Sequence, residues 1–146
     1  MIRCATILNG NDMRYEFDDV QAAGVLITND EDDLIIAVSR KDDQSDLGLP
    51  FGKRETGETP LETAVRETFE ETGIELDPEK IQLVYIDIGR TTVAACYLTK
   101  ISRKTILNSS EEGVCQWVDK SAVLSGSFGD YNRRLFAHLD GVLNEG

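Results

Sequence analysis

Carboxylates crowd one stretch of the sequence, residues 48–76, which reads GLPFGKRETGETPLETAVRETFEETGIEL. On a helix, Glu67, Glu70 and Glu71 fall within about a 100° arc, so that three negative charges share one face. Like charges at this spacing destabilise an isolated helix by roughly a few tenths of a kcal/mol per pair. A bound cation would remove the repulsion, and Mg²⁺ prefers oxygen ligands. The pattern therefore indicates that a positive charge lies against this face.

The segment before this helix is rich in residues that allow a close backbone approach: Gly48, Pro50, Gly52 and Gly57. Lys53 and Arg54 add cations that can reach phosphate oxygens, and Glu58 adds one more carboxylate. The alternative is a solvated acidic helix face with Arg66–Glu70 as an ordinary surface ion pair. The combination of carboxylates, glycine-rich loop and adjacent bases favours a magnesium–polyphosphate site.

The helix that must position the carboxylates has clear ends. Thr59 is a good N-cap, Pro60 suits the first helical position, and Glu62 completes a capping box. Gly73 supplies a left-handed residue that ends the helix. The same helical spacing predicts a core-facing stripe of Leu61, Ala64, Val65, Thr68 and Phe69.

The remaining elements are strands and one closing helix. Turn-rich clusters and apolar runs predict strands at 2–8, 20–28, 34–39 and 114–118, a hairpin of 81–88 with 92–99 across 89–91, and an amphipathic helix over 130–143. The acidic runs 30–33 and 42–43 are expected to be solvated turns. No repeat or linker interrupts this order, so we expect one mixed α/β domain over residues 1–146.

Composition narrows the partners and the compartment. Acidic residues outnumber basic ones 27 to 15, for a formal charge of −12, which disfavours a nucleic-acid polymer as partner. A nucleotide substrate would then need a divalent cation to bridge the charges. No apolar run approaches the roughly 18 residues of a membrane span, and no signal peptide is evident. The three cysteines, Cys4, Cys96 and Cys115, are an odd number with no close-spaced pair, which indicates a reducing compartment. We therefore expect a cytoplasmic protein. We also expect a monomer or homodimer without membrane contact.

The segment 52–74 also matches a family motif. Its residues fit the Nudix box, G-x5-E-x7-R-E-U-x-E-E-x-G-U with U a bulky aliphatic residue, at every fixed polar and glycine position: Gly52, Glu58, Arg66, Glu67, Glu70, Glu71, Gly73 and Ile74. Thr68 takes the first U position, and Phe51 stands where a Pro-Gly-Gly often precedes the lysine. The strand VQAAGVLI and the segment EEGVCQWVDKSAVL also resemble Nudix counterparts, so the likeness covers most of the chain.

This resemblance implies a Nudix-type α/β/α sandwich with a mixed β-sheet, and hydrolysis of a nucleoside diphosphate linked to another group, X. It implies that Glu67, Glu70 and Glu71 bind metal, with the Phe51 backbone carbonyl as a further ligand. An additional glutamate from a loop outside the box joins the metal in several members, and Glu112, with Glu111 beside it, is the candidate here.

Other roles follow from the same resemblance. Glu67 matches the general base proposed in some members, Arg66 the residue that orients this carboxylate, and Glu58 a support for the loop–helix geometry. Glu70 belongs with Glu67 and Arg66 in the expected catalytic group. Four residues are expected to contact substrate: Phe51, Gly52, Lys53 and Arg54.

The substrate is expected to be a nucleoside or deoxynucleoside triphosphate, with Mg²⁺ as cofactor and Mn²⁺ as a substitute. A dinucleoside polyphosphate or a nucleotide sugar is the alternative, and a nucleotide-sensing module without activity is a further one that the intact box disfavours. The ring of Phe51 either stacks on a base or covers the loop. His138, the lone histidine, is assigned no catalytic role.

Overall fold

The computed structural model describes residues 3–5, 19–111 and 113–145. The elements are β1 (Arg3–Ala5), β2 (Ala22–Asn29), β3 (Ile35–Arg40), β4 (Asp43–Gly48), β5 (Phe51–Lys53), α1 (Pro60–Thr72), β6 (Gln82–Ile88), β7 (Val93–Ile101), β8 (Cys115–Val118) and α2 (Gly129–Glu145). Within these ranges, no helix combines the length and apolar character that a membrane span requires.

A five-stranded mixed sheet forms the centre of the fold, with strand order β1-β6-β7-β2-β5. β2 and β7 run parallel, and the other neighbouring pairs are antiparallel. Each face of the sheet carries its own apolar core, one including Ala64 of α1 and the other including Leu135 of α2. The two helices therefore cover opposite faces, which confirms the expected α/β sandwich.

A second, three-stranded sheet has the order β4-β3-β8. The sequence predicts β3 and β8, but the interpretation of the 42–43 region as a solvated turn misses β4. The first three residues of β4 are exposed, and the strand exists because its backbone pairs with β3, for example at Val38↔Gly48 and Ser39↔Leu47. Such pairing between strands satisfies backbone groups without a hydrophobic pattern.

Helix α1 begins and ends where the sequence predicts. Thr59 and Glu62 form both halves of the capping box, and Gly73 ends the helix with φ 77°. The predicted core stripe is wrong at one residue, because Phe69 is 50% exposed. Ala64 and Thr68 of the stripe are buried as predicted, and Pro60, Thr63 and Thr72 are buried as well.

The other predicted elements are found with shifts of one or two residues at their ends. Only residues 3–5 of the predicted first strand lie in the described part of the chain.

Candidate active site

Arg66 holds the loop and the helix together. Its Nε donates to Glu58 Oε2 at 2.6 Å and its Nη2 to Glu58 Oε1 at 3.0 Å, a two-pronged ion pair. Nη2 also donates to the backbone carbonyl of Lys53 at 3.0 Å. A planar guanidinium can make these contacts at once because its donors form a rigid fork. The contacts join β5, the loop after it and α1 at a single side chain.

Glu58 is itself fixed by further donors. The Thr63 hydroxyl donates to Glu58 Oε1 at 2.8 Å, and the backbone N–H of Glu55 donates to the same atom at 3.0 Å. The guanidinium of Arg66, chiefly by hydrogen bonding, lowers the pKa of Glu58 to about 2. The same contacts raise the pKa of Arg66, so this pair stays charged across the physiological range.

The third arm of the guanidinium reaches the carboxylates of the box. Arg66 Nη1 donates to Glu67 Oε1 at 2.8 Å and lies 3.3 Å from both carboxylate oxygens of Glu70. The Glu67 side chain is 17% exposed, whereas that of Glu70 is 48% exposed. Burial raises the pKa of Glu67, and the hydrogen bond from Arg66 opposes that rise.

Glu67 reaches the site past the glycine of an edge strand. β5 is the last strand of the large sheet, and a Cβ at Gly52 would collide with the carboxyl group of Glu67. The glycine is therefore needed for a close approach of side chain to backbone, as its place in the loop predicts. Glu67, which belongs to the helix on one face of the sheet, thus reaches past the edge strand into a pocket.

Glu71 contacts the same strand. Its Oε1 accepts a hydrogen bond from the backbone N–H of Phe51 at 3.1 Å. The ring of Phe51 packs edge-on against Tyr131 of α2, with 5.5 Å between ring centroids. The metal-ligand role expected for the Phe51 carbonyl stays a prediction.

An open pocket of about 610 Å³ lies between β5, the N-terminal end of α2, and the turns that join β3 to β4 and β6 to β7. Glu67 and Glu71 line it, together with Phe51, Gly52 and Lys53. Glu70, Arg54 and the Arg66–Glu58 pair are outside its lining. The remaining lining includes basic and aromatic residues that the sequence did not single out for this site: Arg40, Lys41, Arg90 and Phe128.

The floor of the pocket is a row of residues across four strands. Asp87 of β6 pairs with Ala94 of β7, Ala94 with Ala22 of β2, and Ala22 with Lys53 of β5. Two alanines lie in the middle of the row, so the sheet presents a shallow depression between an acidic and a basic end. Lys53 forms the end beside Gly52 and Glu67.

Among the described residues, no three acidic, histidine or cysteine side chains already converge on one point. The donors near the pocket are nevertheless all oxygens, those of Glu67 and Glu71, with Glu70 bound to the same guanidinium as Glu67. Such a set fits a hard divalent cation such as Mg²⁺ or Mn²⁺, which would draw these oxygens together.

The loop that contains the expected additional glutamate borders the C-terminal end of α1. The backbone N–H of Asn108 donates to the Thr72 carbonyl at 2.9 Å. Burial, and to a smaller extent the charge of Glu71, raise the pKa of Cys115, which follows this loop. Glu111 is exposed, and Glu112 lies outside the described residues. Their role in metal binding stays a prediction.

The comparisons with known proteins agree with this arrangement. The family model described as "NUDIX domain" matches residues 19–139. A "MutT-like protein" of Streptomyces ambofaciens is 34% identical over 123 residues, covering 84% of this chain and 78% of the relative.

Solved structures share the fold. A C. elegans Ap4A hydrolase binary complex has a TM-score of 0.64 at 20% identity, covering 83% of this chain and 99% of that one. The E. coli dihydroneopterin triphosphate pyrophosphohydrolase has a TM-score of 0.62 at 19% identity, covering 80% and 93%.

The family match includes both the helix that carries the carboxylates and the strands that form the pocket floor. One family model accounts for these elements together, and a relative above 30% identity spans most of the chain. The chain therefore belongs to the Nudix family and is a hydrolase of the MutT-like type, acting on nucleotide pyrophosphate bonds.

Proposed function

We propose that this hydrolase is a Mg²⁺-dependent pyrophosphohydrolase of nucleoside or deoxynucleoside triphosphates. The observation that carries the proposal is the position of Glu67, which passes Gly52 to line a pocket beside Lys53 while Arg66 fixes its carboxylate. A partly buried carboxylate, a lysine and an open pocket thus lie together where a polyphosphate would bind.

Divalent metal ions are general in this family. Glu67, Glu70 and Glu71 would hold the cation, with the Phe51 carbonyl and Glu112 as the further ligands that the sequence predicts. Bound there, the cation supplies charge neutralisation at the phosphoryl oxygens and lowers the pKa of water.

The chain's own residues accept the proton and hold the proton acceptor in place. Glu67 accepts the proton of the attacking water, because burial raises its pKa and makes it a stronger base than an exposed glutamate. Arg66 orients Glu67 through Nη1 while Glu58 holds the guanidinium from the opposite side. Glu58 therefore supports the geometry and does not meet the substrate.

The polyphosphate is bound by cations around the pocket. Lys53 lies at the catalytic end of the floor, and Arg40, Lys41 and Arg90 line the same pocket. In a chain with formal charge −12, these basic residues supply cationic partners for the phosphate oxygens of a polyanion beside the acidic residues of the same pocket. Arg54 is outside the lining, and its contact with substrate stays a prediction.

A panel of nucleotides tests the proposal. The purified chain is incubated with Mg²⁺ and nucleoside triphosphates, dinucleoside polyphosphates and nucleotide sugars, and released phosphate and pyrophosphate are measured. We expect pyrophosphate from triphosphates, loss of turnover in excess chelator, and loss in Glu70→Gln and Glu71→Gln variants. Faster turnover of a dinucleoside polyphosphate or nucleotide sugar would replace the proposed substrate, and binding without turnover would indicate a sensing module.

A further inference from the structure

The pocket has an acidic end that the proposed chemistry does not use. Asp87 lies on the same sheet face as Tyr85, since residues two apart on a strand share a face. Tyr85 contacts the rings of Tyr131 and His138 on α2, so this is the α2 face. Three strand spacings of about 4.8 Å each separate Asp87 from Lys53 along the pocket floor.

The carboxylate of Asp87 is held rigidly. Its Oδ1 accepts from the Tyr85 hydroxyl at 2.9 Å and from Arg134 Nε at 3.1 Å, and its Oδ2 accepts from Arg134 Nη2 at 2.9 Å. Its side chain is only 8% exposed. A carboxylate has about four acceptor positions, so one on Oδ2 remains for a ligand.

The ion pair with Arg134 also determines which kind of ligand Asp87 can bind. Asp87 pairs one to one with Arg134, so the pair carries no net charge to offer a metal ion, unlike the box carboxylates, which share the single guanidinium of Arg66. What it offers is a fixed hydrogen-bond acceptor. Because the Asp87 side chain is only 8% exposed, this acceptor favours a donor that projects from the edge of a ring, as an exocyclic amino group does, over a ring N–H. Phe128, half exposed and lining the same pocket, adds an aromatic face for a planar group.

We propose that Asp87 is a specificity-determining residue that accepts a hydrogen bond from the exocyclic amino group of the substrate's base. The inference rests on the proposed function, because it places the phosphates at the Lys53 end of the floor and the base at the Asp87 end. The preferred substrates are then nucleotides of adenine, guanine or cytosine, whose bases carry this group, and uracil and hypoxanthine nucleotides are discriminated against.

Matched substrate pairs that differ only in the amino group test the inference: GTP with ITP, ATP with purine riboside triphosphate, and CTP with 2-pyrimidinone riboside triphosphate. We expect the wild-type protein to favour the amino member of at least one pair by about tenfold or more in kcat/KM, the size of one hydrogen bond to a charged group. In Asp87→Asn the same ratio should fall to within about twofold of one, because the neutral amide is a weaker acceptor.

Asp130→Asn is the matched control. Asp130 is also an aspartate paired with an arginine, Arg133, but its side chain is 90% exposed and it does not line the pocket. Its variant should keep the wild-type ratio. Where Asp87→Asn fails to fold, Asp87→Glu replaces it, since the charge opposite Arg134 is kept while the oxygens move by one methylene. The ratio should again fall.

Two results would overturn the inference: equal kcat/KM within every pair for the wild-type protein, or an unchanged ratio in the folded Asp87 variant. Calorimetry with the corresponding nucleoside monophosphates separates this from the proposed function, because it needs no turnover. Discrimination between GMP and IMP, or within another pair, that depends on Asp87 supports the inference even if no triphosphate is hydrolysed. Turnover without such discrimination leaves the proposed function and removes the inference.

Discussion

The carboxyl group of Glu67 occupies the space that a side chain at Gly52 would fill. The two residues belong to different layers, one to α1 and the other to the edge strand β5. The first glycine of the box therefore works as an opening through which a helix carboxylate reaches the pocket.

Gly52→Ala should lower kcat by at least about tenfold, because the added methyl group displaces the carboxylate from its bond with Arg66. Steady-state kinetics on the best nucleotide of the panel measure the loss. Gly141→Ala is the control, since a Cβ there meets nothing within 4 Å and the position is helical. It should keep full activity and stabilise the fold by about 0.5–1 kcal/mol. Full activity in Gly52→Ala would contradict the proposed role of Glu67.

Arg66→Lys should reduce kcat more than it changes KM. An ammonium keeps the charge but cannot bond Glu58 twice while also reaching Glu67 and the Lys53 carbonyl. Because the guanidinium positions the carboxylate that we propose as the proton acceptor, we expect the loss to be about tenfold or more and to lie in kcat. Arg133→Lys, on an exposed pair of α2, should leave both constants unchanged. A loss confined to KM would instead make Arg66 a substrate-binding residue.

Acid stability should depend on Glu58. Its pKa falls from an ordinary value of 4.5 to about 2 in the folded chain. The folded state therefore holds fewer protons than the unfolded state between these values, so its stabilisation is complete above pH 4.5 and is lost as the pH falls toward 2. Denaturant titrations across this range should show a shallower decline for Glu58→Gln than for the wild type, together with lower stability at pH 7. Parallel curves for the two proteins would mean that the ion pair with Arg66 is not formed in solution.

We propose that divalent cations bind the folded chain at the box carboxylates and relieve their repulsion. They should then raise the melting temperature in proportion to the logarithm of their concentration above the dissociation constant. The variant Glu67→Gln, Glu70→Gln, Glu71→Gln should show a much smaller shift with Mg²⁺ or Mn²⁺. Differential scanning fluorimetry without nucleotide measures it. Equal shifts in the two proteins would place the metal elsewhere.

Phe51→Leu should affect all bases alike. The ring packs edge-on against Tyr131, so its loss should lower the melting temperature and shift kcat/KM by one common factor across purine and pyrimidine nucleotides. Phe128→Leu is the comparison, because that ring is half exposed in the pocket, and we expect its effect to differ between bases. A base-dependent effect of Phe51→Leu would restore the stacking role that the sequence leaves open.

Local chemistry was enough to predict the helix and its ends. The capping box of Thr59 and Glu62 and the left-handed Gly73 depend on residues within one turn of each other, so the sequence contains all that determines them. The spacing of the box likewise predicted that Glu67 and Glu71 belong to one site, because residues four apart share a helix face.

The rotation of that helix against the sheet was decided by packing. A periodicity argument places Phe69 in the core, yet it is 50% exposed, while Thr63 and Thr72, which the argument leaves out, are buried. The Thr72 hydroxyl can be buried because it donates to the Thr68 carbonyl at 2.6 Å. Hydropathy does not reveal such local compensation of a polar group, and it therefore leaves Thr63 and Thr72 out of the buried face.

The sequence by itself thus determined the box helix, the family and the carboxylates, since each depends on residues close together in the chain. Only the tertiary structure decided the other end of the pocket. Asp87 and Lys53 lie on one floor because the sheet inserts β7 and β2 between β6 and β5. The Asp87–Arg134 ion pair joins a strand to a helix near the end of the chain. Long-range strand order and helix packing set these distances, and no local pattern in the sequence encodes them.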